Sequence, residues 1–440
     1  MSARLDHPAG AAPLSVPLAQ SALAPGLGAL PVPDRPASIR DPGKPVHPSA
    51  LVITEPLSQQ LALLRALAAL VVVVHHAGLM LFGPLDLGSA ADLTRWYQKL
   101  IWLTAIAGQG GVMLFFVLSG YLVGGPTAVF VARGQFRWTD YLASRASRIL
   151  PVAWAAVALS LGVAAIIGGM DVPDPVAARS DFFWGMTLDQ SFEPGRILAA
   201  LTLTHSLLTE LLPTNTSLWT LANEWWYYLC FPCLLLALVQ RRWRWLIPAV
   251  LMLLLMYKSR QHIGFLHRFV VWMGGAAIYL VTLKLRSLDR AEVRRIIFGL
   301  LAAMAVAFIA VQFVTQGFRR GDYSVGLLTM AWLLVASRLH WRLPAFVRVP
   351  AFVLGAFSYS VYCFHMPVML LMIATAGWAG HFLPFDGHGL LACLGLVGAS
   401  LVICAGGWWL TERHTPAARR ICLAVLRLPA RLSAATRLRS

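Results

Sequence analysis

The chain has 440 residues, of which 58% are apolar and only 12% charged, with a net charge of +17. Soluble globular proteins carry about a quarter charged residues, so a chain of this composition cannot cover its apolar surface in water. Disordered, collagen-like, disulfide-scaffold and ordinary soluble classes are excluded, which leaves a polytopic all-α membrane protein.

The first 50 residues hold 10 of the 26 prolines, among many Ala, Ser and Gly. Residues 1–60 therefore read as a disordered Pro/Ala-rich tail. They are no signal peptide, because the apolar run begins too late and is too long. Runs near 61–83, 101–124, 149–170, 218–239, 265–283, 296–315, 353–377 and 389–411 are long enough to cross roughly 30 Å of hydrocarbon as helices. Two shorter runs, 245–257 and 323–337, qualify only through topology. With about ten transmembrane helices and both termini cytoplasmic, the cytoplasmic side holds 26 of the 36 Lys and Arg, the outer loops hold 9, and Arg65 lies inside the first span. That is the positive-inside pattern, and it accounts for the basic charge without nucleic acid. Omitting one short run would invert the loops beyond it. The segment 197–212, with His205, breaks this pattern if counted as a span. It reads as a re-entrant or interfacial helix on the outer side. The membrane domain is thus 61–412, followed by a basic cytoplasmic tail, 413–440. That tail has seven arginines spaced by Leu and Ala, as in a helix lying on anionic lipid.

Ionisable groups at membrane depth are costly and therefore functional candidates. They are Arg65, His75, His76, Glu224, Arg268 and His365. Arg65 and His76 are eleven residues apart, about three helical turns, so they share a face with a rise of about 16 Å. A guanidinium at the mouth and an imidazole deeper on that face describe an anion-attracting shaft ending in a base. The alternative is a snorkelling arginine and a packing histidine. The glycines of GGVMLFFVLSGYLVGG permit close helix approach, and Ser119 and Tyr121 add hydroxyls. Arg145 and Arg148, at i and i+3 before Pro151, could fork onto phosphates or serve as ordinary anchors. In SLWTLANEWWYYLCFP, Trp219 and Asn223 precede Glu224, a carboxylate within an interface belt that needs a partner. In FSYSVYCFHMP, Ser358, Tyr362 and His365 form a stripe at spacings of four and three, with Tyr359 beside it. The six cysteines read as packing residues, and the histidines lack the close pairs and carboxylates of a metal site.

Together these segments resemble the integral-membrane acyltransferase-3 family. Arg65 and His76 match its R-X10-H pattern, and GGVMLFFVLSGYL is similar to its second-span signature. RASRILPVAW matches R-x-x-R-x-x-P, while SLWTLANEWWYYLCFP and FSYSVYCFHMPV resemble its W-S-L-x-x-E and S-Y-x-x-Y-L-x-H-x-P elements. Thr220 replaces a serine, Met113 an aspartate and Cys363 a leucine. Glu412 stands farther from Pro416 than in the family's closing E-x-P, so that element carries little weight.

The resemblance implies an O-acyltransferase that moves an acyl group, most often acetyl, from cytoplasmic acyl-CoA (acetyl-CoA) to a hydroxyl of a carbohydrate such as exopolysaccharide, at a bacterial cytoplasmic membrane. Acyl-CoA is then a co-substrate, with no permanently bound cofactor. The acceptor is free or lipid-linked, membrane lipid surrounds the chain, and polysaccharide assembly proteins are the implied partners. Arg65, Arg145 and Arg148 are placed to receive the phosphates. His76 is the expected base, with an acyl-histidine intermediate as the rival sequence, and Glu224 either orients it or binds the acceptor. Trp219 is expected to stack on a sugar, with Asn223, Ser119, Tyr121, Ser358, Tyr359, Tyr362 and His365 lining the cavity. The rival reading is a proton-coupled transporter or flippase, since intramembrane Arg, His and Glu also build proton relays.

Overall fold

A computed structural model of the chain describes residues 52–83, 95–259, 264–315, 317–339 and 341–437. Within them the backbone is overwhelmingly helical and no β-strand occurs. The principal helices are α1 (Glu55–Phe82), α2 (Trp96–Ser119), α3 (Gly125–Ala132), α4 (Trp138–Gly168), α5 (Pro194–Thr202), α6 (Trp219–Leu238), α7 (Leu246–Tyr257), α8 (Phe265–Leu285), α9 (Arg290–Val314), α10 (Gly317–Ala336), α11 (Ala345–Thr375), α12 (Gly387–Leu410) and α13 (Thr415–Arg437). A helix stands at each of the ten stretches read as spans. Seven helical segments are long and apolar enough to cross a membrane, which makes the chain a multi-pass membrane protein. Three helices fall short for local reasons. α6 opens on Trp219, Asn223 and Glu224, α7 is only 12 residues long, and α10 carries Arg319, Arg320 and Asp322.

The first helix begins at Glu55, not at residue 61. Thr54 accepts from the Leu57 amide, and Pro56 occupies the first turn, where a missing N–H costs nothing. Leu57 to Gln60 are buried, so the expected tail ends before them. The remainder of that tail up to residue 51 lies outside the described residues.

Side-chain contacts fix which helices run alike. Arg65 meets Ser358 and His76 meets His365, so α1 and α11 ascend together. Tyr227 meets Phe265 and Phe231 meets Trp272, so α6 and α8 also run parallel. α2 and α8 touch through glycine. A Cβ on Gly120 would overlap the Trp272 carbonyl oxygen, and one on Gly275 would overlap the Val117 carbonyl oxygen. The helix widens into a π turn over Gly120–Gly124 at this crossing, as helices often do where function crowds them. Gly120→Ala should force the two backbones apart. The expected cost is about 1–3 kcal/mol, typical of overpacking, read as a lowered unfolding midpoint in detergent.

Prolines inside helices leave carbonyls without their usual donors, and at two of them, Pro367 and Pro232, polar side chains fill the place. Pro367 frees the Cys363 carbonyl, which accepts from Asn215 Nδ2 at 2.9 Å. Pro232 frees the Tyr228 carbonyl, which accepts from the Tyr141 hydroxyl at 3.0 Å. Asn215 belongs to a buried 3-10 segment, Pro213–Leu218, that also bonds the Tyr362 carbonyl through Ser217. The stretch expected as a re-entrant or interfacial helix is helical only to Thr202. Leu203 then turns with φ of 56°, and His205 Nε2 reaches the Leu218 carbonyl at 2.9 Å. This loop thereby braces α11 beside His365.

The basic tail is helical. α13 packs along α4, with Arg427 paired to Asp140 at 3.0 Å. Ile421, Val425 and Leu428 stay exposed at helical spacing on one face.

Candidate active site

The structure joins the α1 face to the α11 stripe at two levels. At the first, Arg65 is buried and its Nη2 donates to Ser358 Oγ at 3.1 Å, while Ser358 donates to the Gly355 carbonyl. Gly355 is needed there, since a Cβ would press on the Ala62 carbonyl oxygen at 2.9 Å. At the second level, His76 Nδ1 lies 2.7 Å from His365 Nε2, with the ring planes 16° apart and the centroids at 4.9 Å. His365 Nδ1 lies 2.9 Å from the Val361 carbonyl oxygen.

That carbonyl fixes the protons. A carbonyl oxygen can only accept, so His365 Nδ1 carries hydrogen. In a neutral ring His365 Nε2 is then an acceptor, and His76 Nδ1 must donate to it. His76 Nε2 is left with a bare lone pair. The backbone of α11 thus sets the tautomer of an imidazole on α1, the role usually given to a second partner of a catalytic histidine. His76 is half-buried and His365 fully buried.

Around Arg65 lies a cluster of charge. Arg148, Glu412 and Glu224 are its electrostatic neighbours. Glu224 faces Ser119, Tyr228, Arg148 and Arg145. Ser119 Oγ is 2.9 Å from the Tyr228 hydroxyl and accepts from Trp272 Nε1 at 3.0 Å. Arg145 lies over the Tyr228 ring at 5.8 Å, and its Nη2 donates to Ser144. Tyr359 borders Glu224, Tyr228 and Arg148, and its buried hydroxyl has no partner among the described residues. Three guanidiniums against two carboxylates leave an excess of positive charge where forked donors suit phosphate.

Several sequence expectations are redirected. Glu224 stands with the arginines, and the rings that meet the His76 imidazole are those of His365, His75 and Phe182. Trp219 is buried, which leaves its ring no open face for a sugar. The Arg268 guanidinium lies 4.6 Å from its ring centroid, and Phe116 meets it edge-on at 6.1 Å. Tyr121 points away into a second apolar cluster, against Tyr279 at 5.4 Å. Asn223 is buried, and neither amide atom is paired among the described residues. Tyr362 packs 6.0 Å from the His365 ring and 6.1 Å from Phe115. Arg268 finds its partner in Asp322, at 2.9 Å, a carboxylate that also takes His267 Nε2 at 2.7 Å. Pairing of this kind offsets the cost of burying the charges.

Sequence reasoning discounted Glu412 and passed over Ser360 and Tyr228. Glu412 is buried and accepts from Ser360 Oγ at 3.0 Å, between Arg148 and Arg65. The available signal was a lone carboxylate closing the last apolar run. The six cysteines are free, and among the described residues no three His, Cys, Asp or Glu side chains converge as metal ligands would.

No curated protein and no solved structure matches the chain. A family model described as an acyltransferase domain matches residues 59–412. That stretch begins one turn into α1 and closes on Glu412, so it takes in every element of the two-level site. The chain belongs to the acyltransferase-3 family and is an acyltransferase.

Proposed function

We propose that this chain is an O-acyltransferase of a bacterial cytoplasmic membrane, moving an acetyl group from cytoplasmic acetyl-CoA to a hydroxyl of a surface carbohydrate. The observation that carries this reading is the lone pair left on His76 Nε2 by the His365–Val361 arrangement. Ten spans with both termini cytoplasmic accord with the helix directions. α1 and α11 run alike, as first and ninth spans must, and α6 and α8 run alike only if α7 crosses between them. The arginine cluster then faces the cytoplasm, and α13 lays its apolar face into anionic lipid with its arginines at the headgroups.

A thioester is already activated, so the protein supplies a base and orientation. The phosphates dock on Arg65, Arg145 and Arg148, and the pantetheine arm carries the thioester along α1 toward His76. The acceptor hydroxyl attacks the thioester carbon as its proton passes to His76 Nε2. The resulting imidazolium keeps its Nδ1–H on His365 Nε2. Collapse of the tetrahedral intermediate breaks the C–S bond, and the departing thiolate takes the proton back from Nε2. Base catalysis of this kind supplies about 10²–10⁴-fold.

Arg148→Lys keeps the charge and loses the fork. Hydrogen bonds to charged groups contribute about 1.5–3 kcal/mol, so the KM for acetyl-CoA should rise about 10-fold or more with kcat little changed. The test of the whole reading is turnover by wild-type protein in nanodiscs, given acetyl-CoA and a panel of soluble and lipid-linked sugars. CoA release matched by an acetylated sugar supports it. Absence of CoA release with every sugar of the panel would overturn it.

A further inference from the structure

The arginine cluster occupies one end of the site, and a carbohydrate must reach His76 by another route. A cavity of about 220 Å³ lies beside Phe182, whose ring meets His76, and is bounded also by Leu79, Arg179, Ser180, Asp181 and Phe382. Leu79 is three residues beyond His76 on α1. Phe182, in the one-turn helix Ser180–Phe183, lines the cavity and holds its ring 5.6 Å from the His76 ring. Phe182 thus borders both the cavity and the imidazole.

Arg179 shows how the walls are held. It is buried, and its five N–H groups are all taken by carbonyl oxygens. Nε donates to Met80 at 2.6 Å, Nη1 to Pro175 and Ala379, and Nη2 to Trp378 and His381. Met80 lies in the last turn of α1, and residues 378–381 follow α11, so the guanidinium sits where two helix macrodipoles point negative charge. Burial lowers its pKa to about 10, which leaves it charged at neutral pH. It therefore ties together the ends of the helices that carry His76 and His365, and has no donor left for a ligand.

The cavity's remaining chemistry is specific. Asp181 and Ser180 are exposed polar groups at its rim, and Phe382 is 41% exposed, with Arg179 stacked 5.4 Å from its ring centroid. A carboxylate that accepts from hydroxyls, beside aromatic rings and a cation with no free N–H, suits a neutral polyol and leaves the cation no donor with which to hold an anion. The volume is below the roughly 300–1,000 Å³ of sites for drug-sized ligands, which fits one ring and not an oligosaccharide.

We infer that this cavity is the acceptor vestibule, holding a single neutral pyranose with its apolar face on Phe382 and its hydroxyls on Asp181, and with Phe182 closing the way to His76 against water and turning aside for the acceptor hydroxyl. The inference rests on the transferase reading above, and it names where and how the carbohydrate binds.

Saturation-transfer NMR with methyl β-D-glucopyranoside and methyl α-D-galactopyranoside tests it on the full chain in nanodiscs. Wild-type protein and His76→Ala should both transfer saturation to at least one glycoside. Asp181→Asn and Phe382→Ala should lose most of it. Asp181 is exposed, so its variant tests the site without threatening the fold. Phe182→Ala should raise acceptor-independent CoA release from acetyl-CoA several-fold, because water gains the route. Absence of transfer in wild type, or transfer unchanged in both vestibule variants, would overturn the inference. Turnover separates the two readings. A wild type that acetylates sugars while both variants bind glycosides normally removes the vestibule and keeps the transferase. A wild type whose glycoside binding depends on Asp181 and Phe382 but which consumes no acetyl-CoA does the reverse.

Discussion

In the His76→Ala protein, acetyl transfer should fall by about 10²–10⁴-fold, the range expected for loss of a positioned general base. Binding of acetyl-CoA should change little. The phosphates are assigned to Arg65, Arg145 and Arg148, and Arg65 is bonded to Ser358 on α11, independently of the imidazole. A drop in kcat with an unaltered donor Kd, measured by titration of the same nanodiscs, is therefore the expected pattern. Equal loss of both would place His76 in the binding surface and take away its chemical role.

The second large effect falls on His365. This residue touches no substrate in the mechanism and acts as a positioning residue through His76. His365→Phe removes the acceptor of the His76 Nδ1–H. A buried donor left unpaired costs about 1–3 kcal/mol, roughly 10- to 100-fold in rate, and the imidazole is also freed to take the other tautomer. His365→Gln offers a carbonyl oxygen to the same proton and should recover most of the activity. A purely packing role would not follow this order, because Phe fills the space at least as well as Gln. If Phe proved as active as Gln, the proton chain through Val361 would be irrelevant to catalysis.

Much of this site was legible in the sequence because helical periodicity is arithmetic. The eleven-residue spacing of Arg65 and His76 placed them on one face, and the stripe of Ser358, Tyr362 and His365 placed three groups on another. That the two faces meet each other was not legible. It depends on Gly355 lying against Ala62 and on His75 filling the space beside Gly108, and such approaches are set by helix packing with no trace in spacing. The same limit explains Glu224. Its sequence neighbours suggested an outer interface belt, yet the turn of α6 that carries it faces Arg145 and Arg148. Trp219 looked like a sugar platform as an isolated aromatic and turns out to be covered by Arg268, more than forty residues away in sequence. Glu412 was undervalued because its spacing to Pro416 departs from a motif. Its place depends instead on Ser360 and the arginines across the helix bundle.

The helix count shows the complementary case. Charge distribution demanded that both short runs be kept, or neither. The contacts show α1 running parallel to α11 and α6 to α8, and seven helical segments are long and apolar enough to cross a membrane. The boundary of the first helix was missed because Thr54, Pro56 and two glutamines look like tail by composition. Their helical state comes from capping and from burial of Leu57.

The claim on which the rest depends is the position of one proton. Nitrogen-15 NMR of histidine-labelled protein in lipid, assigned through His76→Ala and His365→Gln, reads it directly. The account predicts hydrogen on His76 Nδ1 and on His365 Nδ1, with His76 Nε2 unprotonated at the pH where the protein is active. A proton found on His76 Nε2 under those conditions would leave no base facing the acceptor and would contradict the mechanism.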